Sequence, residues 1–177
     1  RNVLVRSSGT ALSGNTAYIR NLARNTTSFD IAYGEFAHLG NALGQTDGLR
    51  FEPAGTTGRI SSCTFRDNYR ALNLYDAPNS IIQGNLFFNN SGSGAHSIQL
   101  YGLGTTGNLI EGNHSYGNTN ANGIFLSNFP SGNVVRGNYF YSNTGYGMSV
   151  ANSYDNTFSS NSVFCNSSDG VWMGLSS

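Results

Sequence analysis

Apolar residues fall on alternate positions in short runs, and two kinds of run recur in step along the chain. The first reads small, apolar, variable, apolar: Gly48-Leu49-Arg50-Phe51, Ala71-Leu72-Asn73-Leu74, Ser97-Ile98-Gln99-Leu100, Gly123-Ile124-Phe125-Leu126, Gly147-Met148-Ser149-Val150 and Gly170-Val171-Trp172-Met173. The second reads Ile82-Gln83-Gly84-Asn85, Ile110-Glu111-Gly112-Asn113 and Val135-Arg136-Gly137-Asn138. Phe158-Ser159-Ser160-Asn161 and Ile60-Ser61-Ser62-Cys63 share its frame. Another Asn follows five residues after each copy, at Asn68, Asn90, Asn118, Asn143 and Asn166. Alternation every two residues is the strand period, and Gly recurs too often for helices. Successive copies of the first run lie 23 to 26 residues apart and those of the second 22 to 28, the extra residues falling in Gly/Ser/Asn stretches such as 91–94. Loop insertions in a solenoid behave this way.

One such coil cannot bury its apolar face alone, but stacked coils can. Stacking predicts interior columns Leu49, Leu72, Ile98, Ile124, Met148, Val171 and Phe51, Leu74, Leu100, Leu126, Val150, Met173. Ile60, Ile82, Ile110, Val135 and Phe158 line a further wall. Phe65, Phe87, Phe140 and Val163 line a fourth, interrupted by Ser115. Gly before Asn suits a sharp corner, because both types tolerate the left-handed conformation. An Asn repeated at one corner can pass amide hydrogen bonds from coil to coil. Asn85, Asn113, Asn138 and Asn161 are therefore read as a structural ladder, with Glu35 placed at the same corner nearer the N-terminus and His38 given a structural role beside it.

These frames resemble the right-handed parallel β-helix repeat of the pectate-lyase-like superfamily, which includes pectate lyases, polygalacturonases, alginate epimerases and lyases, phage tailspikes and many surface proteins. The resemblance covers about residues 29–177 and implies an all-β, single-stranded, right-handed parallel β-helix of about seven coils. Residues 1–28 are less regular, with Val3–Val5 and Tyr18–Ile19 as candidate strands, and 1–177 is read as a single domain. Both ends are expected to be uncapped, from Asn2–Val5 at one and Val171–Leu175 at the other.

Composition narrows the function classes. The 177 residues are 38% hydrophobic, 12% aromatic and 10% charged, which excludes disorder. Nine Arg balance nine Asp and Glu and no Lys is present, so binding to nucleic acid or acidic membrane through bulk charge is not expected. No apolar run approaches the roughly 18 residues of a membrane helix. A chain opening at Arg1 without a leader reads as a mature or excised segment. Low charge and abundant Asn, Ser and Thr point to an extracellular or cell-surface setting. Sequons lie at Asn25, Asn89, Asn113 and Asn166. Cys63 and Cys165 lie on coils four steps apart, about 19 Å, too far for an intrachain disulfide.

Candidate chemistry lies on the outward positions. One column is Arg50, Asn73, Gln99, Phe125, Ser149, Trp172; its neighbour is Glu52, Tyr75, Tyr101, Ser127, Ala151, Gly174. The residues preceding the strands are Asp47, Arg70, His96, Asn122, Tyr146 and Asp169. Arg50, Arg70, Tyr75, His96 and Tyr101 form a candidate glycan-binding set, with Glu52 and Asp76 as the candidate carboxylate pair that glycoside hydrolysis would need. The catalytic patterns of the resembled families are missing: no adjacent Asp pair, no Asp-Pro-His-Glu, no Lys, no calcium nonapeptide. His38, His96 and His114 fall in different columns, so no metal site and no cofactor are expected. A further outward column, Arg66, Phe88, Tyr116, Tyr141 and Phe164, is either an interface, with another chain or with sugar rings, or a second interior corner or a stack under a loop. The leading expectation is thus a structural solenoid that associates with copies of itself, head-to-tail or laterally, through Val3, Val5, Val171, Trp172, Phe88, Tyr116, Tyr141 and Phe164. The alternative is a carbohydrate-active β-helix with a polysaccharide partner.

Overall fold

A computed structural model describes residues 3–14, 16–25, 27–42 and 46–174. Three parallel sheets run the length of the stack. The first contains β1 (Val3–Arg6), β4 (Gly34–Ala37), β7 (Thr64–Arg66), β10 (Leu86–Phe88), β13 (His114–Tyr116), β16 (Tyr139–Tyr141) and β19 (Ser162–Phe164). The second contains β2 (Ile19–Asn21), β5 (Leu49–Phe51), β8 (Leu72–Tyr75), β11 (Ser91–Tyr101), β14 (Thr119–Ser127), β17 (Met148–Ala151) and β20 (Val171–Gly174). The third contains β3 (Asp30–Ala32), β6 (Arg59–Ser61), β9 (Ile81–Gln83), β12 (Leu109–Glu111), β15 (Val134–Arg136) and β18 (Thr157–Ser159). The chain visits them in rotation, completing six triplets and the first two strands of another, slightly short of seven coils. The expected Asn2 and Leu175 edge positions lie outside the described residues.

The repeat frames set the register. Leu49, Leu72, Ile98, Ile124 and Met148 are Cα partners in sequence, as are Ile60, Ile82, Ile110, Val135 and Phe158. Most of these side chains are fully buried. Phe36, Phe65 and Phe87 stack at 4.8 and 4.9 Å inside the first sheet. Ser115 interrupts that wall between Phe87 and Phe140 and is itself buried. Its hydroxyl donates to Gly123 O at 3.1 Å and accepts from Asn118 Nδ2 at 3.2 Å, so the interruption leaves no unpaired polar atom. Val171 and Met173 belong by register to the interior columns but are 47% and 60% exposed, because no described strand stacks beyond β20.

Every corner carries an asparagine ladder. Between the third and first sheets, each Asn Oδ1 accepts both the N–H and the Nδ2 of its counterpart on the preceding coil. The order is Asn85 to Asn113 to Asn138 to Asn161, with every distance 2.9–3.0 Å. The preceding Gly84, Gly112 and Gly137 have φ of 63–64°, the left-handed turn that a Cβ would strain. Asn68, Asn90, Asn118, Asn143 and Asn166 do the same between the first and second sheets. A third ladder, Asn108, Asn133 and Asn156, holds the corner between the second and third sheets.

Two expectations need correction. The first ladder's corner near the N-terminus falls on Gly34, whose N–H faces Cys63 Sγ, and not on Glu35. Glu35 points outward from β4 and pairs with Arg66 at 2.6 Å. Residues 91–94, expected as a loop, extend β11 through the corner, and Asn120 likewise lies within β14. The cause is pairing: β11 and β14 continue together beyond the usual strand length, with Ser91 opposite Thr119 and Ala95 opposite Ala121.

Candidate functional site

The outer face of the second sheet gathers most of the candidate chemistry. The period of two places Arg50, Asn73 and Gln99 in one outward column and Tyr75 beside Tyr101 in the next. Together with Arg70, which precedes β8 in a left-handed conformation (φ 47°), they line a groove of about 300 Å³. The Arg50 guanidinium lies over the Tyr75 ring at 4.6 Å, and Tyr75 stacks on Tyr101 at 5.4 Å. Both faces of Tyr75 are therefore occupied, and the stack offers ring edges and hydroxyls to a ligand.

Charge in this region is organised around carboxylates. Glu52 holds Arg20 and Arg50, each Nε at 2.8 Å. Asp47 is fully buried beneath the groove: its Oδ2 accepts from Asn73 Nδ2 at 2.9 Å and from Arg50 Nη1 at 3.4 Å. Its Oδ1 lies 3.9 Å from Arg70 Nη1, an ion pair too long for a hydrogen bond. Burial pushes the Asp47 carboxyl above its ordinary range, outweighing Asn73, Arg50 and Arg70, which pull it down. Three cations (Arg20, Arg50, Arg70) against two carboxylates (Asp47, Glu52) leave one positive charge. Asn73 Oδ1, Arg70 Nε and His96 Nδ1 are buried without a hydrogen-bond partner. Groups in that state cost free energy until something pairs with them.

Arg50, Arg70, Tyr75 and Tyr101 are thus brought together as the sequence predicted, while three other candidates are placed differently. His96 packs behind Arg70 against Phe125, ring centroids 4.1 Å apart, and does not line the groove. Burial, followed by the charge of Arg70, lowers its pKa to about 3. Asp76 accepts the Gly104 N–H at 2.9 Å and so closes the turn after β11. Glu52 lies beside the groove, spent on its two arginines. Asn73, Gln99 and Ser149, which outward alternation would leave solvated, are at most 9% exposed because their column neighbours cover them. Asp47 was visible in sequence only as the residue before a strand; its place under both arginines follows from stacking.

The outer face of the first sheet is different in character. Phe88, Tyr116, Tyr141 and Phe164 stack in register at 5.4, 4.9 and 5.0 Å, within 14° of parallel. The column faces outward: Phe88, Tyr116 and Tyr141 are half-buried and Phe164 is 47% exposed, so it is not a second interior corner. Of the other proposed contact residues, Val3, Val5 and Trp172 are 36–66% exposed, and Trp172 stacks on Tyr146. A second depression, about 330 Å³ and lined by Val150, Tyr154, Phe158 and Met173 among others, is interior wall left open beyond β20. Among the described residues no three His, Cys, Asp or Glu groups gather as a metal site, and no helix is long and apolar enough to cross a membrane.

Three parallel sheets wound in rotation, with a ladder at each corner, define a parallel β-solenoid. Residues 47–177 match the right-handed β-helix region family, and the chain belongs to that family. It is similar in structure to a variant of the periplasmic alginate epimerase AlgG, with a TM-score of 0.58 and 19% identity over 96% of this chain. At that identity the likeness is one of fold. The chain spans about half the length of that protein, 49%. Comparison with curated proteins finds no match.

Proposed function

We propose that this is an extracellular glycan-binding β-helix whose second-sheet groove holds a carboxylate-bearing polysaccharide. The observation that carries this reading is the convergence of Arg50 and Arg70 on one groove with Tyr75, Tyr101 and Gln99, above the unpaired Asn73 Oδ1 and Arg70 Nε. A guanidinium fork matches a sugar carboxylate in two hydrogen bonds. Asn73 and Gln99 suit hydroxyls, and the Tyr edges suit the ring margin. The likeness to an alginate epimerase supports the same ligand class. Hydrolysis is not part of the reading, because neither Glu52 nor Asp76 lines the groove.

Calorimetric titration with a uronate oligosaccharide tests it. Binding is expected for the wild type, weakened at least about tenfold in Arg70→Gln, and absent for a neutral oligosaccharide of equal length. Equal binding of the neutral and acidic sugars overturns it.

A second reading is favoured by the outward column Phe88–Tyr116–Tyr141–Phe164: lateral association of two copies through the first sheet, since apolar faces of this kind mark interaction surfaces. Sedimentation velocity that finds only monomers at high micromolar concentration removes it.

A further inference from the structure

The groove's arginines share one buried partner, and this has a consequence for binding. Asp47 touches Arg50 and Asn73 directly and faces Arg70, so a single carboxylate beneath the floor contacts three of the lining residues. We propose that Asp47 is a proton-coupled positioning residue: an anion entering the groove competes with its carboxylate for Arg50 and Arg70, and binding is accompanied by proton uptake at Asp47. The inference rests on the acidic-glycan reading above.

The geometry gives the reason. Arg70 is the least committed cation of the set. Its Nε has no partner, its Nη1 is 3.9 Å from Asp47 Oδ1, and its guanidinium otherwise packs over the Tyr69 ring at 5.4 Å. A ligand carboxylate can therefore take the Arg70 fork, but it arrives within a few ångströms of Asp47, where two like charges disfavour each other. The other groups facing this point are Arg50 and Glu52 at β5, Asn73 on β8, and His96 on β11 behind Arg70. Glu52 is already paired with Arg20 and Arg50, and His96 is neutral at physiological pH, so neither relieves the repulsion. Protonating Asp47 does: it raises the net charge of the five ionised groups from one to two. Burial already favours the neutral carboxyl. An anion drives the equilibrium further, so affinity strengthens as pH falls until the ligand itself takes up protons.

The test is calorimetry with a sulfated oligosaccharide, whose charge does not change between pH 4.5 and pH 8, as the probes of ligand and proton together. In two buffers of different ionisation enthalpy, wild type should show net proton uptake, with affinity rising roughly tenfold across that range. Asp47→Asn keeps an acceptor for Asn73 but no charge. It should bind at pH 8 about as tightly as wild type does at pH 4.5, with no pH dependence and no buffer effect, while its circular dichroism stays that of the wild type. If wild type binds and Asp47→Asn keeps the same pH dependence, the inference falls and the glycan reading stands. If wild type binds neither this probe nor the uronate oligosaccharide, both fall.

Discussion

Truncating Asn113 to alanine removes four hydrogen bonds at once. Its Oδ1 accepts from Asn85 N and Asn85 Nδ2, both at 3.0 Å, and its Nδ2 donates to Ile82 O at 2.8 Å and to Asn138 Oδ1 at 3.0 Å. Asn138 Oδ1 keeps the backbone N–H of residue 113, and Asn85 Nδ2 keeps Ile60 O. The Asn85 N–H and one proton of its amide are left without acceptors, in a corner where both side chains are 0% exposed. At about 1–3 kcal/mol per orphaned buried group, the two together cost about 2–6 kcal/mol. That is a large part of an ordinary domain's stability. Asn120 is the control: it is exposed and left-handed at φ 53°, and no side-chain bond of its own crosses coils. Alanine would strain that backbone, so Asn120→Gly, which keeps the conformation, should stay within about 0.5 kcal/mol of wild type. Urea unfolding followed by circular dichroism compares the two. Asn113→Asp adds a second handle. It retains the acceptor but aims a carboxylate at Asn138 Oδ1, so its penalty should shrink as pH falls and the acid gains a proton to donate. Equal midpoints for Asn113→Ala and Asn120→Gly would refute the ladder energetics.

Other expectations follow from titration, stacking and accessibility. His96 is held neutral to about pH 3 in the fold against 6.5 for the free group, so the unfolded chain takes up the proton first and stability falls as pH drops from 6.5 toward 3. The ceiling is about 5 kcal/mol, and His96→Gln should flatten this limb of the pH–stability curve; an unchanged slope assigns it elsewhere. Tyr141 stacks on both Tyr116 and Phe164, so Tyr141→Ser should cost roughly 1–3 kcal/mol in urea unfolding, and a variant of wild-type stability would show that the stack contributes nothing. Cys165 is exposed and Cys63 buried with its thiol pKa raised chiefly by burial; a thiol reagent should label one residue natively and both in denaturant, and intact mass should show no internal loss of two hydrogens.

The fold was legible because its rules are periodic. The Ile82, Ile110 and Val135 frames set register, face and corner at once. The outward columns were equally readable, which is why Arg50, Arg70, Tyr75 and Tyr101 arrive in one groove. Two features escaped. The third ladder leaves a sequence signal, Asn at every fifth position through Asn108-Asn113-Asn118, Asn133-Asn138-Asn143 and Asn156-Asn161-Asn166, but its first members sit in the variable turns, where spacing looked like loop composition. The burial of Asp47 and His96 leaves no such signal. Alternation predicts only which face a residue takes, and outward positions are ordinarily solvated; here long neighbours on adjacent coils close over them.

A flat parallel sheet presents its outward side chains at the strand spacing of about 4.8 Å, too close for like charges to sit in water undisturbed. Arg20 and Arg50 are register partners, and the sequence resolves their repulsion with Glu52. Arg50 and Arg70 converge again one strand on, and there the compensating charge is Asp47, placed underneath rather than beside them. The ladders hold the adjoining corners with hydrogen bonds that tie each coil to the next, Asn68 to Asn90 at the corner that leads into this face. A backbone so fixed cannot relax to separate the charges, so their balance rests on the side chains around them. The groove's unpaired Asn73 Oδ1 and Arg70 Nε are the remainder of that balance, and a carboxylate that also carries a hydroxyl donor, as a sugar acid does, would satisfy both.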